Sequence, residues 1–332
     1  MDCREILRHF SIEADSILLV TDNMEKPVWR VTSGQDDYYL KQMPLTRGYL
    51  QFLTGALEHL AEHGVRLPEL MSTTSNERVL EDQGKFFILT RGVPGESPEY
   101  EDHLELIVRE MARFHKASLG YTPAPDSEPR NLAGTWADHY QNKYEQLTSL
   151  KEQAATRSDP FSVLFLEHAD TFLTRMEQAA NRLTSGVYQE LCDEFSRNPS
   201  LCHQDFTASN LLLTPEGQVV VLDWDSLAYD IPARDLRKLL TKLLKKGEWS
   251  PEISTEVLTW YSEEYPLSSA HVEVLAADLE FPHQFVSMVA KYYAGRTEDW
   301  SERKCLQKLQ NAIMAEENRL AAAGLIRGAG GV

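Results

Sequence analysis

Leu201-Cys-His-Gln-Asp-Phe-Thr-Ala-Ser-Asn-Leu-Leu-Leu-Thr-Pro-Glu-Gly-Gln-Val-Val-Val-Leu-Asp-Trp-Asp225 is the stretch around which the rest of the chain is organised. Asp205, Asn210 and Asp223 stand in it as polar residues within otherwise apolar sequence. Leu211–Leu213 and Val219–Leu222 are short apolar runs joined by Thr-Pro-Glu-Gly-Gln, which predicts a hairpin closed by a turn. A hairpin returns to its start, so Asn210, just before the first strand, becomes a neighbour of Asp223, just after the second. Asp205 lies on the loop that leads in. Two oxygen ligands and a further carboxylate at one loop edge suit a nucleotide-bound magnesium ion, which keeps its other positions for phosphate and water. Asp225, two residues on, is either another ligand of the metal or the cap of a turn.

The pattern His203-x-Asp205-x-x-x-x-Asn210, followed by Asp223, resembles the catalytic and metal-binding segments of the kinase fold. The resemblance implies that Asp205 accepts or orients the proton of an attacking hydroxyl, and that Asn210 and Asp223 hold magnesium. His203 is expected to orient the loop by hydrogen bonding and not to bind metal. A loop whose carboxylates only cap turns would share the composition without the hairpin.

Upstream, Ile6, Leu7 and Phe10 mark a helix within residues 1–13, and Ser16–Val20, Val28–Thr32 and Tyr38–Met43 read as three strands. A lysine in an apolar strand usually reaches solvent from the exposed face. In the kinase fold the lysine of such a strand contacts the α- and β-phosphates of ATP, which implies that role for Lys41. Leu50, Leu53, Leu57 and Leu60 at helical spacing predict a helix over Gly48–His63. The resemblance implies a glutamate partner for Lys41 on this helix: Glu58 is the candidate, and Glu62, one turn on, is left open. Gly64–Thr73 and Glu77–Asp82 are expected to add sheet. The run Phe86-Phe-Ile-Leu-Thr-Arg-Gly-Val-Pro-Gly is similar to the hinge between kinase lobes, which implies that the main chain of Thr90, Arg91 and Gly92 meets adenine. One departure stands out. Thr21-Asp-Asn-Met-Glu-Lys-Pro occupies the place of the phosphate-covering loop without a glycine, the residue that lets main-chain N–H groups approach phosphate.

Downstream of the hinge, helices are expected at Leu104–Ser118, Trp136–Gln153, Val163–Ser185, Tyr188–Phe195, Leu236–Lys245, 251–265, 270–294 and 299–323, with a frayed tail from Gly324. His115 reads as a core histidine. Asp235 opens a helix, where a carboxylate suits the positive end, and braces the loop carrying Asp205. The expected fold class is thus α+β and kinase-like in two lobes. Residues 1–91 form a small β-rich nucleotide-binding lobe, and residues 92–332 a large helical lobe with the catalytic loop and substrate site. The segment Asp223-Trp224-Asp225 replaces Asp-Phe-Gly, and no Ala-Pro-Glu closes an activation segment. Both features resemble the aminoglycoside/choline phosphotransferase branch more than the protein kinases. Within that branch Leu201-Cys-His-Gln-Asp-Phe, Tyr229-Asp-Ile-Pro-Ala-Arg-Asp-Leu-Arg-Lys, Asp278-Leu-Glu-Phe-Pro-His-Gln-Phe and Lys291-Tyr-Tyr resemble the spore coat protein S family. That resemblance implies a coat-associated protein made in the mother-cell cytoplasm, with other coat proteins as partners.

A formal charge of −18 argues against a nucleic-acid backbone as partner. Cys3, Cys192, Cys202 and Cys305 show no zinc spacing and fit reduced thiols in a cytosolic setting. Neither a signal peptide nor a membrane span is expected. Two readings follow. One is a phosphotransferase using ATP and Mg2+ on a small-molecule hydroxyl, its acceptor placed near Glu280, Phe281 and His283. The other is a kinase-fold building block of the coat with a vestigial site.

Overall fold

Alternating apolar sequence builds an antiparallel sheet in the order β1-β2-β3-β5-β4. Its strands are β1 (Ser16–Thr21), β2 (Val28–Ser33), β3 (Asp36–Met43), β4 (Leu80–Asp82) and β5 (Lys85–Arg91). The computed structural model describes residues 2–23, 25–245 and 248–329. Pairing of Leu40 with Leu89 and of Lys41 with Ile88 fixes which side chains share a face. Tyr38, Leu40, Phe87 and Leu89 go to one face, where α1 (Cys3–Arg8) covers them with Ile6 and Leu7. Lys41 therefore lies on the other face, beside Ile88.

Helix α2 (Arg47–Glu62) starts where the Thr46 hydroxyl accepts the Tyr49 N–H at 3.1 Å. It buries Tyr49, Leu50, Phe52, Leu53, Ala56, Leu57 and Leu60. Helix α3 (Tyr100–Ala117) contains His115, fully buried as expected of a core residue. The expected sheet over Gly64–Thr73 and Glu77–Asp82 is reduced to β4 and a single bridge from Leu70 to Thr90. Pro68, which has no N–H to give a ladder, interrupts the first of these segments.

Contacts divide the chain into two units. The first is Met1–Arg130 with Thr207–Leu227, and the second is Asn131–Phe206 with Ala228–Val332. The first holds the five-stranded sheet, α1 to α3, and the hairpin of β7 (Leu211–Leu213) and β8 (Val219–Val221). The second is mainly helical: α4 (Trp136–Ala154), α5 (Pro160–Thr184), α6 (Val187–Arg197), α7 (Ala233–Leu244), α8 (Ile253–Glu264), α9 (Ser269–Glu280), α10 (His283–Tyr293) and α11 (Glu302–Ala329). A short ladder pairs β6 (Leu201–Cys202) with β9 (Ala228–Tyr229). The architecture is α+β, as read from the sequence. The single helix expected over 270–294 is two, because Pro282 lacks an N–H and forces Phe281 into an extended conformation, φ −66° and ψ 125°. The expected fraying from Gly324 is also corrected: α11 continues to Ala329, with Ile326 buried and Arg327 ion-paired to Glu273 and Glu280, while 330–332 lie outside the described residues.

Asp230, Arg234, Arg237 and Asp278 form a buried polar network in the second unit. Arg234 lies 3.7 Å over the Trp136 ring, and the Trp136 indole N–H reaches Asp230 Oδ1 at 2.9 Å. Asp278 accepts from the Tyr140 hydroxyl, from Arg234 at 3.0 Å and from Arg237 at 3.2 Å. Burial alone would favour the neutral acid; Arg234, Arg237 and His283 outweigh it and hold Asp278 well below the usual carboxylate range. Among the described residues no helix is long and apolar enough to cross a membrane, and all four cysteines are free.

Candidate active site

The expected hairpin forms, with Leu211 opposite Val221 and Leu213 opposite Val219. Gly217 at φ 74° supplies the left-handed turn residue. Main-chain bonds fix both its strands within the first unit. Leu213 exchanges bonds with Glu96 at 2.7 and 3.1 Å, and the Val221 N–H reaches the Arg66 carbonyl at 3.0 Å. Gly95 allows that approach, since a Cβ there would stand 2.8 Å from the Leu213 carbonyl oxygen.

At the open end of the hairpin the Leu222 N–H donates to the Asn210 carbonyl at 2.8 Å, which ties Asn210 to the residue before Asp223. Asp223 is at φ 56°, a left-handed conformation that Asp tolerates better than most side chains. Its carboxylate accepts from the Lys41 ammonium, which also donates to Asp225 Oδ1 at 2.7 Å. Asp223 is half exposed, whereas Asp225 is nearly buried. Burial disfavours the charged Lys41, but the two carboxylates outweigh it and hold its pKa above the usual lysine value. The structure thus brings Lys41, Asp223 and Asp225 together and ties Asn210 to the same hairpin end. An amide and two carboxylates are the hard oxygen donors that magnesium takes, so this donor set fits a metal–nucleotide.

Two further side chains join this cluster. The Tyr49 hydroxyl reaches the carbonyls of Asp225 at 3.1 Å and Leu227 at 2.6 Å, and burial pushes its pKa up to about 12. Lys26 donates to Asp225 Oδ2 at 3.2 Å. Neither is apparent from motif spacing. The available signals are a tyrosine in the first turn of the helix after Lys41 and a single lysine in the glycine-free loop, where Met24 lies outside the described residues.

Glu58 is not the partner of Lys41. It is exposed on α2 and bonds Arg78 at 3.0 Å, and Glu62 is exposed as well. At about 100° per residue, Glu58 lies about 180° around the helix from Tyr49, the residue that faces the cluster. At the expected hinge two main-chain donors are already engaged. The Arg91 N–H is bonded to the Glu69 carbonyl at 2.9 Å and the Gly92 N–H to the Asp37 carbonyl at 2.6 Å, so neither donor is available to a base. Thr90 is paired with Tyr39 on one side and bridged to Leu70 on the other.

Asp205 belongs to the second unit and is exposed. The loop carrying it is braced as expected. Asp235, near the start of α7, accepts the N–H groups of His203 at 2.7 Å and Gln204 at 2.9 Å, and Lys238 bonds the Gln204 carbonyl and its side chain. Gln204 is at φ 69°, strain that these bonds maintain. Buried His203 accepts the Asp205 N–H through Nδ1 at 3.3 Å, the orienting role read from the sequence. The expected acceptor residues are otherwise engaged. Glu280 pairs with Arg327 and Arg182, Phe281 is buried against the Tyr140 ring, and His283 bonds Asp278 at 2.7 Å.

The chain matches the phosphotransferase enzyme family over residues 16–268. Spore coat protein S of Bacillus subtilis (strain 168) is 31% identical over 319 residues, 95% of this chain and 91% of that protein. An aminoglycoside phosphotransferase from Alicyclobacillus acidocaldarius superposes with a TM-score of 0.81 at 19% identity, over 98% of this chain and 96% of that one. An amicoumacin kinase solved in complex with AMP-PNP and Ca2+ gives a TM-score of 0.65 at 14% identity, over 96% and 94%. At such identities the structural likeness establishes the kinase-like fold, and the chemistry rests on the residues.

Proposed function

Because the chain belongs to the phosphotransferase enzyme family, on the branch that holds spore coat protein S, we propose that it transfers the terminal phosphoryl group of Mg-ATP to a small-molecule hydroxyl. The observation that carries this reading is the Lys41 ammonium bonded to both Asp223 and Asp225 at the hairpin end where Asn210 is tied. Lysine, amide and paired carboxylates at one place are the parts that phosphoryl transfer requires, since it depends on positioning and charge neutralisation.

In this reading Asn210 and Asp223 hold the metal, Asp225 adds a carboxylate, and Lys41 neutralises charge on the phosphates. Bound Mg-ATP supplies the phosphoryl group and its activation. The acceptor oxygen forms a bond to the γ-phosphorus, the bond from that phosphorus to the β–γ bridging oxygen breaks, and ADP leaves with the electron pair. Asp205 takes the hydroxyl proton, and Asp235 and Lys238 keep its loop in place. Since Arg91 and Gly92 have spent their N–H groups, adenine is met further along the connector. The Val93 N–H is the next main-chain donor and has no partner among the described hydrogen bonds.

Asp205→Asn tests the assignment. Turnover of labelled ATP with small alcohols, sugars and aminoglycosides as acceptors should fall by about 10²-fold or more, while Mg-ATP affinity stays within a few-fold. Undiminished turnover would reject Asp205 as the base. A second reading, a coat building block with little catalysis, draws on the glycine-free loop and on the relationship to spore coat protein S. That relationship also supports synthesis in the mother-cell cytoplasm and contact with other coat proteins.

A further inference from the structure

The loop that should cover the phosphates has no glycine, yet it places a cation at the metal carboxylates. Two bonds shape its described part: Asn23 Oδ1 accepts the Glu25 N–H at 3.0 Å, and the Lys26 N–H reaches the Asn23 carbonyl at 3.0 Å. Gln42, the neighbour of Lys41, fastens the loop to β3 through bonds to the Glu25 carbonyl at 3.3 Å and the Pro27 carbonyl at 3.2 Å. Val28 stands directly opposite Lys41 in the ladder, so Lys26, two residues earlier, enters on the side of the sheet that carries Lys41. The two ammonium groups then share one carboxylate, Lys41 on Oδ1 and Lys26 on Oδ2 of Asp225.

Among the four side chains ion-paired to one another here the charges balance, with the Arg130 guanidinium standing apart at the Tyr49 hydroxyl. Lys26 and Lys41 carry two positive charges, and Asp223 and Asp225 carry two negative ones. A divalent cation arriving alone at the carboxylates would strand two ammonium groups side by side, and a polyphosphate arriving alone at the lysines would strand two carboxylates. When both arrive, each finds its partner. Lys26 keeps 41% of its side chain exposed and is held by one bond, so it can change partners at little cost, whereas Lys41 is mostly buried.

We infer that Lys26 is a phosphate ligand, taking over with its side chain the work that glycine main chain does in other kinase loops, and that its bond to Asp225 is exchanged for a bond to the nucleotide polyphosphate when metal enters. The inference rests on the Mg-ATP reading of the same cluster. Its consequence is a positive coupling of metal and nucleotide, each weakly bound without the other.

Calorimetric titration of the full chain with AMP-PNP, adenosine and Mn2+, singly and together, tests this for the natural protein, Lys26→Met and Lys26→Arg. Lys26→Met should weaken Mn2+·AMP-PNP by about tenfold or more, the worth of one charge-assisted hydrogen bond. Adenosine affinity should stay within about twofold, and Lys26→Arg should recover most of the loss. Mn2+ alone should bind Lys26→Met more tightly than the natural chain, since one competing cation has gone. A merely structural lysine would not move metal and nucleotide affinities in opposite directions. Unchanged Mn2+·AMP-PNP affinity in Lys26→Met, or an equal loss for adenosine, overturns the inference. Failure of the natural chain to bind Mn2+·AMP-PNP overturns the nucleotide reading itself, and this inference with it.

Discussion

Asp223 and Asp225 are two residues apart and share a lysine, yet their surroundings differ. Asp225 is nearly buried and bonded to two ammonium groups, while Asp223 is half exposed. Asp225→Asn should therefore cost about 1–3 kcal/mol of stability in urea unfolding, because it leaves two cations on one remaining carboxylate. Asp223→Asn should cost under about 1 kcal/mol, because Asp223 is half exposed and Lys41 keeps Asp225, while weakening Mn2+·AMP-PNP at least as much as Asp225→Asn does. Asparagine is the right replacement at 223, since it accepts the positive φ that alanine would resist. The neighbourhood of Asn210 and Asp223 was legible because a hairpin brings its two ends together, whereas the roles proposed for them and for Asp205 rest on the family resemblance. The pairing of Lys41 with Asp223 and Asp225 was not legible, since the glutamate sought for it, Glu58, sits on the far side of α2, and Lys26 reaches Asp225 from the loop before β2 through a bond no spacing encodes.

At the scale of elements, the strands and hairpin were readable from alternation and turn residues, whose effects are local. The errors lie where tertiary bonds override a local signal. The segment around Pro68 lies along β5 through the Arg91–Glu69 bond without forming a strand, and that same bond takes the donor expected at the hinge. The tail after Gly324 stays helical because Arg327 is paired. Helix α10 carries a pH dependence. Burial and Arg237 lower the pKa of His283 to about 3 despite the opposing pull of Asp278. An unfolded histidine titrates near 6.5, so between about pH 6.5 and 3 the unfolded chain binds the extra proton. The stability due to neutral His283 is present above that window and is lost as pH falls through it, by at most about 1.4 kcal/mol per pH unit. His283→Gln should flatten the decline of melting temperature between pH 6 and 4; an unaltered slope would remove His283 from the account.

For the molecule as a whole, the enzyme and building-block readings differ in ligand linkage. A working site should raise the melting temperature with Mg2+ and ATP together, by about 2.7 kcal/mol of added stability at one hundred times Kd. ATP with chelator should do markedly less, given the charge balance at Lys26 and Lys41. No shift at millimolar Mg-ATP would favour the building-block reading. The α+β class and the family were legible over the whole length because several motifs agreed. The division into units was harder to read, since it depends on which segments touch and not on order along the chain.

The segment Thr207–Leu227 belongs to the first unit but is flanked on both sides by the second. Neither unit can be cut out as an uninterrupted piece of gene, so truncation at Arg130 would discard the hairpin with Asp223 and Asp225. During synthesis the sheet and α1 to α3 emerge first and must then wait for residue 227, roughly 5–20 seconds at bacterial to eukaryotic elongation speeds. The ribosome thus delivers Lys41 well before its counter-charges, and the ion-pair cluster it joins is completed only after α4 to α6 have been made.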